Sequence, residues 1–169
     1  LKEVPIIDLL LLSGLYTVRI VAGGEATNVE VSNWLYGFSI FIFTSLAAVK
    51  RFSELMRLSD SSGEIELPGR GYQLVDQSIL SNIGLSSGFV SVLILVLYFN
   101  EGTPDGLYES PDVLWLIAPL VMYWISRIWI LAVRGDLEDD PVAFASRDGV
   151  TWVIGMAGLF IVWFASIGV

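Results

Sequence analysis

Five apolar runs, each close to the length a helix needs to cross a bilayer, constrain this chain more than any other feature. They extend from Pro5 to Ala22, Val31 to Val49, Ile79 to Phe99, Val113 to Val133 and Val150 to Val169. A hydrocarbon core about 30 Å thick takes roughly 20 helical residues, and inside it the backbone polar groups must be satisfied within the protein. With a mean hydropathy of +0.70 and only 16% charged residues, the expected fold class is all-α. The architecture is a polytopic membrane helix bundle with five transmembrane helices. Pro5 near the first start and Gly23 and Gly24 after its end follow ordinary helix punctuation. Pro119 lies inside the fourth run and predicts a kink there. Gly84, Ser86, Ser87 and Gly88 in the third run predict a close helix contact.

The connections sort by charge. Segments 23–30 and 100–112 contain no Lys or Arg but carry Glu25, Glu30, Glu101, Asp105, Glu109 and Asp112. Lys50, Arg51, Arg57 and Arg70 fall in one of the other connections, Arg134 and Arg147 in the next, and Lys2 precedes the first run. The positive-inside rule then puts the N-terminus and these basic connections in the cytoplasm and the C-terminus outside. A net charge of -9, without a basic stripe, argues against nucleic-acid binding. Histidine and cysteine are both absent. Chemistry must therefore rest on carboxylates, Lys, Arg, Tyr, hydroxyls or a bound metal. The chain starts at Leu1, with no signal peptide ahead of the first run, and is expected to be a fragment lacking an N-terminal half.

Charge also enters the spans and their mouths. The second run passes without a turn residue into Lys50, Arg51, Phe52, Ser53, Glu54, Leu55, Met56 and Arg57. If the helix continues, Lys50, Glu54 and Arg57 share one face. Ammonium and guanidinium groups bind phosphate oxygens, and a carboxylate can hold a metal or a hydroxyl, so this stripe suits a phosphorylated ligand. Basic residues at the end of a span also serve simply as membrane anchors. Asp8 and Arg19 share a face of the first run, either as a functional pair or each reaching its own interface. Arg127, with Tyr123 one turn before it, lies inside the fourth run and needs a partner or a wet cavity. Asp76, after Tyr72, either faces Lys50 or Arg51 or serves as a helix N-terminal charge. Trp34, Tyr36, Phe38, Phe41, Phe43, Trp115, Trp124 and Trp129 read as lipid-facing bulk and interface belts.

The opening Lys2, Pro5 to Asp8 and Tyr16 to Gly23 resembles part of the C-terminal half of the UbiA-type intramembrane prenyltransferase superfamily, and the resemblance runs the length of the chain. In that family a Tyr-x-x-x-Lys motif, whose lysine would be Lys2, precedes an apolar stretch with an aspartate and then Tyr-x-x-Arg. The resemblance implies that the chain, residues 1–169, is a partial UbiA-like transmembrane domain, with its spans as helices five to nine of a nine-helix fold. Where the family's second aspartate-rich motif belongs, this sequence reads Lys50, Arg51, Phe52, Ser53, Glu54, Leu55. That Lys-Arg-x-x-Glu-Leu element is similar to the polyprenyl-phosphate phosphoribosyltransferase branch, as are Gly69 to Tyr72 and Asp139 to Ala145 with Arg147 and Asp148.

The branch implies transfer of 5-phosphoribose from 5-phosphoribosyl 1-diphosphate to a polyprenyl phosphate, with Mg2+ on the diphosphate. On this resemblance Lys50 and Glu54 are the catalytic candidates, with Glu54 also the possible metal ligand. Lys50 and Arg51 would hold phosphates, Lys2, Arg70, Tyr72 and Asp76 would complete the cytoplasmic mouth as substrate-binding residues, and Tyr123 and Arg127 would steady the cavity below. The first aspartate-rich motif lies upstream in the family, so the chain alone is expected to be inactive. Two alternatives stay open: prenyl transfer from a diphosphate to an aromatic or lipid acceptor, and a transporter-like module. The partners implied are a polyprenyl lipid and a diphosphate-bearing substrate; the sequence does not specify an oligomeric state.

Overall fold

The computed structural model describes residues 4–61, 71–102, 108–137 and 140–167. Among these, six α-helices form in the order α1 Ile7–Thr27, α2 Asn33–Ser61, α3 Gln77–Leu97, α4 Ile117–Arg134, α5 Pro141–Arg147 and α6 Gly149–Ile167. No β-strand occurs among the described residues. All but α5 belong to five spans long and apolar enough to cross a membrane.

Helix α2 is the hub, packing against α1, α3, α4 and α5. Its 29 residues extend about 43 Å at 1.5 Å per residue, well beyond a core of about 30 Å. The helix continues unbroken through Lys50 and Arg57, so these residues lie in its C-terminal half.

Two interfaces show how this packing arises. Between α1 and α2, Ser13 donates to the Ile40 carbonyl at 2.9 Å and Thr44 donates to Ser13 Oγ at 2.9 Å. Such hydroxyl contacts join helices where apolar burial alone gives little drive in lipid. Between α3 and its neighbours, glycine sets the approach. A Cβ on Gly84 would lie 2.0 Å from the Trp129 ring and 2.8 Å from Ala48 Cβ, and one on Gly88 would lie 2.7 Å from Ile125. The small-residue contact predicted for the third run is therefore present.

Trp129 corrects an expectation. It is 3% exposed, sits in the slot left by Gly84, stacks edge-on against Phe52 and donates to Ser45 Oγ at 3.2 Å. It is a core residue, not lipid-facing bulk. Helix α4 buries one stripe, Ile125, Ile128, Trp129 and Ala132, and reading the aromatics as one class overlooked that Trp129 lies on it.

Two further local expectations change. Helix α1 runs through Gly23 and Gly24 to Thr27, and the left-handed residue at its end is Asn28, with φ 54°. Gly24 is needed for another reason: the chain folds back so tightly that a Cβ there would meet Val31 at 2.3 Å. In the fourth span, a 3-10 segment from Pro111 to Leu116 leads into α4, and Pro119 falls in the first α-helical turn. A first turn has no intrahelical partners for its N–H groups, so the proline costs little and the change of helix type lies just before it.

Candidate functional site

The charged side chains gather where the start of α1, the C-terminal half of α2, the segment before α3 and the start of α5 meet. Arg51 organises the centre. Its Nε lies 2.5 Å from Asp8 Oδ2, and its Nη1 donates to both oxygens of Glu54 at 3.0 and 2.9 Å. The Arg51 and Asp8 side chains are only 3% and 8% exposed, whereas Glu54 is 29% exposed. Arg51 thus holds one carboxylate in the interior and orients another at the mouth. Asp8 is buried at the start of α1, one turn before the inward stretch that carries Ser13 and Thr17. Arg19 is exposed and lies over the Tyr16 ring at 5.1 Å, so the two charges of the first span serve separate ends.

Tyr72 anchors the entry to α1. Its hydroxyl oxygen accepts from the Ile6 N–H at 2.9 Å, and the ring is buried. Ile6 has φ 69° and ψ -45°, a positive φ that a β-branched residue rarely adopts, at a cost of roughly 1–3 kcal/mol. The Tyr72 hydrogen bond satisfies its backbone and sets the approach to Asp8 two residues on. Gly71, with φ 67°, lets the chain turn into Tyr72. Burial pushes the Tyr72 phenol above its ordinary range, so it acts as a neutral hydrogen-bonding group rather than a base. Asp76 accepts from the Gln73 N–H at 2.9 Å and closes the turn into α3; this is the helix-start role.

Lys50 points to a different partner. Its ammonium pairs with Asp140, which also caps α5 by accepting from the Val142 N–H at 3.0 Å. Burial would raise the Asp140 carboxyl, but the Lys50 hydrogen bond and the Val142 N–H outweigh it and hold the group below the usual carboxylate range. Lys50 and Asp140 are 30% and 27% exposed, so water and a soluble ion can reach both. One turn beyond Glu54, Arg57 donates to the Leu137 carbonyl at 3.0 Å. Sequence reasoning missed α5 and the Lys50–Asp140 pair. An aspartate followed by proline is a helix-start signal, and Asp140 and Pro141 supply it.

Arg127 and Tyr123 are not drawn into this cluster. Arg127 grips Asp148 with two bonds of 2.7 and 3.0 Å, and Asp148 also accepts from the Thr151 N–H and hydroxyl, each at 2.8 Å. Trp124 donates to the same hydroxyl at 3.1 Å. Asp148 therefore ties α4 to the junction of α5 and α6. Tyr123 is exposed. Lys2, Arg70 and Asp139 lie outside the described residues.

No group of three acidic side chains that could hold a metal occurs among the described residues. Mg2+ ordinarily needs only one or two carboxylates when phosphates supply further oxygens. Glu54 meets that requirement, being a carboxylate presented at the mouth. Far from the mouth, an apolar groove of about 260 Å³ between α2 and α3 is lined by Trp34, Leu35, Phe38, Ile94, Leu95 and Tyr98, and by the hydroxyl-bearing Ser32.

No protein-family model matches the chain, and no solved structure matches it. Curated relatives do. The chain is 39% identical over 158 residues to uncharacterized protein y4nM of Sinorhizobium fredii, covering 92% of this chain and 30% of the relative. It is 37% identical over 158 residues to nodulation protein NoeC of Azorhizobium caulinodans, covering 90% of this chain and 50% of that protein. A decaprenyl-phosphate phosphoribosyltransferase of Mycobacterium tuberculosis is 25% identical over 169 residues, covering 99% of this chain and 51% of the enzyme. The chain thus spans half or less of the length of y4nM and NoeC, and it is a distant homologue of decaprenyl-phosphate phosphoribosyltransferases.

Proposed function

We propose that this chain forms part of a membrane-embedded transferase that moves 5-phosphoribose from 5-phosphoribosyl 1-diphosphate to a polyprenyl phosphate. The observation that carries this reading is that Lys50 and Glu54 lie one turn apart on the same face of α2, Lys50 held by Asp140 and Glu54 oriented by the buried Arg51. The distant phosphoribosyltransferase relatives, matched along 99% of the chain, support the same reaction class.

In this reaction a phosphate oxygen of the lipid attacks the anomeric carbon, that carbon's bond to the diphosphate oxygen breaks, and diphosphate leaves with the bonding pair. The lipid phosphate enters ionised, so no histidine base is required. Lys50 binds a phosphoryl oxygen and offsets its charge. Glu54 fixes the ribose by accepting from a hydroxyl, and Arg51 keeps that carboxylate from swinging away. Tyr72 supports the wall through Ile6. Lys2 and Arg70 are proposed to add cationic contacts, and Asp76 to hold the turn beside them. Mg2+, bound with the diphosphate and contacted by Glu54, would neutralise charge on the leaving group. We place the mouth in the cytoplasm because the basic connections converge on that end.

The test uses the complete protein in proteoliposomes, scored by radiolabel passing from the phosphoribosyl donor into the lipid fraction. Lys50→Ala and Glu54→Ala should each lower turnover at least about tenfold, the scale of one lost electrostatic contact to reacting groups. Unchanged kinetics in both variants removes the site assignment. Label transfer from a prenyl diphosphate, with none from the phosphoribosyl donor, replaces this reaction with prenyl transfer.

A further inference from the structure

We infer that α5 is a strap over the phosphate site, latched shut by the Lys50–Asp140 pair and released when a phosphoryl group takes Lys50 from Asp140. The inference rests on the proposed role of Lys50 as a phosphate ligand and adds how access to it is controlled.

Three observations carry it. First, the two adjacent cations are held very differently. Arg51 is bound by two carboxylates in the interior, whereas Lys50 pairs with one carboxylate among the described residues, in a partly exposed setting. An exposed pair exchanges partners readily, while separating the buried one would strand a charge out of water. Lys50 is therefore the cation an incoming anion can capture. Asp140, held below the usual carboxylate range, is charged at neutral pH and would repel that anion until it moves.

Second, Asp140 is the N-cap of α5, so moving it moves the helix start. The other end of α5 stays fixed: Asp148, immediately after Arg147, is gripped by Arg127 and bound to Thr151. Between these two ends Pro141 is buried and Phe144 packs against the core, so release of Asp140 loosens the start of α5 rather than freeing the whole seven-residue helix.

Third, the closed arrangement contains an unsatisfied group. Ser53 is 8% exposed and its hydroxyl has no hydrogen-bond partner among the described residues. It lies three residues after Lys50 and four before Arg57, on the stripe of α2 whose two basic members reach Asp140 and Leu137. Burying a hydroxyl without a partner is unfavourable, so the closed arrangement carries a cost on this stripe of α2.

The chain has no cysteine, so Ala143→Cys on α5 introduces a single thiol whose reaction with a membrane-impermeant maleimide reports strap opening. Inorganic pyrophosphate and farnesyl phosphate are titrated separately into the full chain in nanodiscs, with binding followed by calorimetry. Either ligand should accelerate labelling; pyrophosphate alone assigns Lys50 to the donor, and farnesyl phosphate alone assigns it to the lipid acceptor. Asp140→Asn keeps a good helix cap but loses the charge, so it should label quickly without ligand. It should also bind the active ligand about two- to fivefold more tightly, the range an exposed ion pair carries. Lys50→Ala should label quickly at rest and lose the ligand response. Lys50-dependent binding with unchanged labelling, and no gain from Asp140→Asn, overturns the latch and leaves the phosphate site standing. If neither ligand binds, or Lys50→Ala binds as the parent does, the phosphate site falls and the latch falls with it.

Discussion

Adjacent residues of like charge have opposite standing at this mouth. Arg51 lies in the interior between Asp8 and Glu54, so replacing it by Met would leave the Asp8 carboxylate without its guanidinium. The expected loss is about 3–5 kcal/mol, measured as reduced resistance to denaturant in detergent micelles. Lys50→Ala removes a partly exposed pair and should cost no more than about 1 kcal/mol in the same assay. Equal losses in the two variants would contradict this division between a structural cation and an exchangeable one. Asp140 supplies the pH dependence. Its folded carboxyl lies below the unfolded value of about 3.9, so its contribution is complete above that value and is lost as pH falls through the folded one. Thermal stability should therefore decline on acidification below about pH 4. The part of that decline due to this group should be missing from Asp140→Asn, a comparison that scanning calorimetry at pH 3 and pH 6 can make.

At the level of helices, contact geometry makes the sharpest prediction. Gly84→Ala forces a Cβ into the Trp129 ring and should destabilise by about 1–3 kcal/mol, read as a lower melting temperature. Gly155→Ala in α6 meets nothing within 4 Å and should be neutral or slightly stabilising. The five spans were legible because length and hydropathy dictate them. The persistence of α2 past Val49 was legible because no turn residue interrupts it. Direction around the helix axis was legible in one span and not in another. Along α4 the spacing of Ile125, Ile128, Trp129 and Ala132 marks an inward face that includes Trp129, whereas α1 is almost uniformly apolar, so the pairing of Asp8 with Arg51 emerges only from three-dimensional packing. Helix α5 was hidden by its brevity, although Asp140 and Pro141 mark its start. Of the candidate residues, Arg51 and Glu54 come together and Tyr72 holds Ile6 at the entry to α1, while Lys50 turns to Asp140, Arg127 satisfies its charge with Asp148 and Tyr123 stands apart.

At the scale of the whole molecule, the five spans among the described residues, if each crosses once, put the two ends of the chain on opposite sides of the membrane. With the basic mouth in the cytoplasm, as proposed, alkaline phosphatase fused after Val169 should be active and a green fluorescent reporter there dark. A bright reporter would reject the proposed topology. The bundle is also uneven: α2 is enclosed by neighbours, whereas α6 is almost wholly exposed along its length. In a bilayer, whatever part of that surface the rest of the protein leaves uncovered meets acyl chains. A bilayer that is thicker than this span must thin around it, and α6 is fixed at its start, where Asp148 is clasped by Arg127 and bound to Thr151. A change of lipid chain length that shifts α6 is therefore expected to be felt first at that clasp, one seven-residue helix away from the mouth.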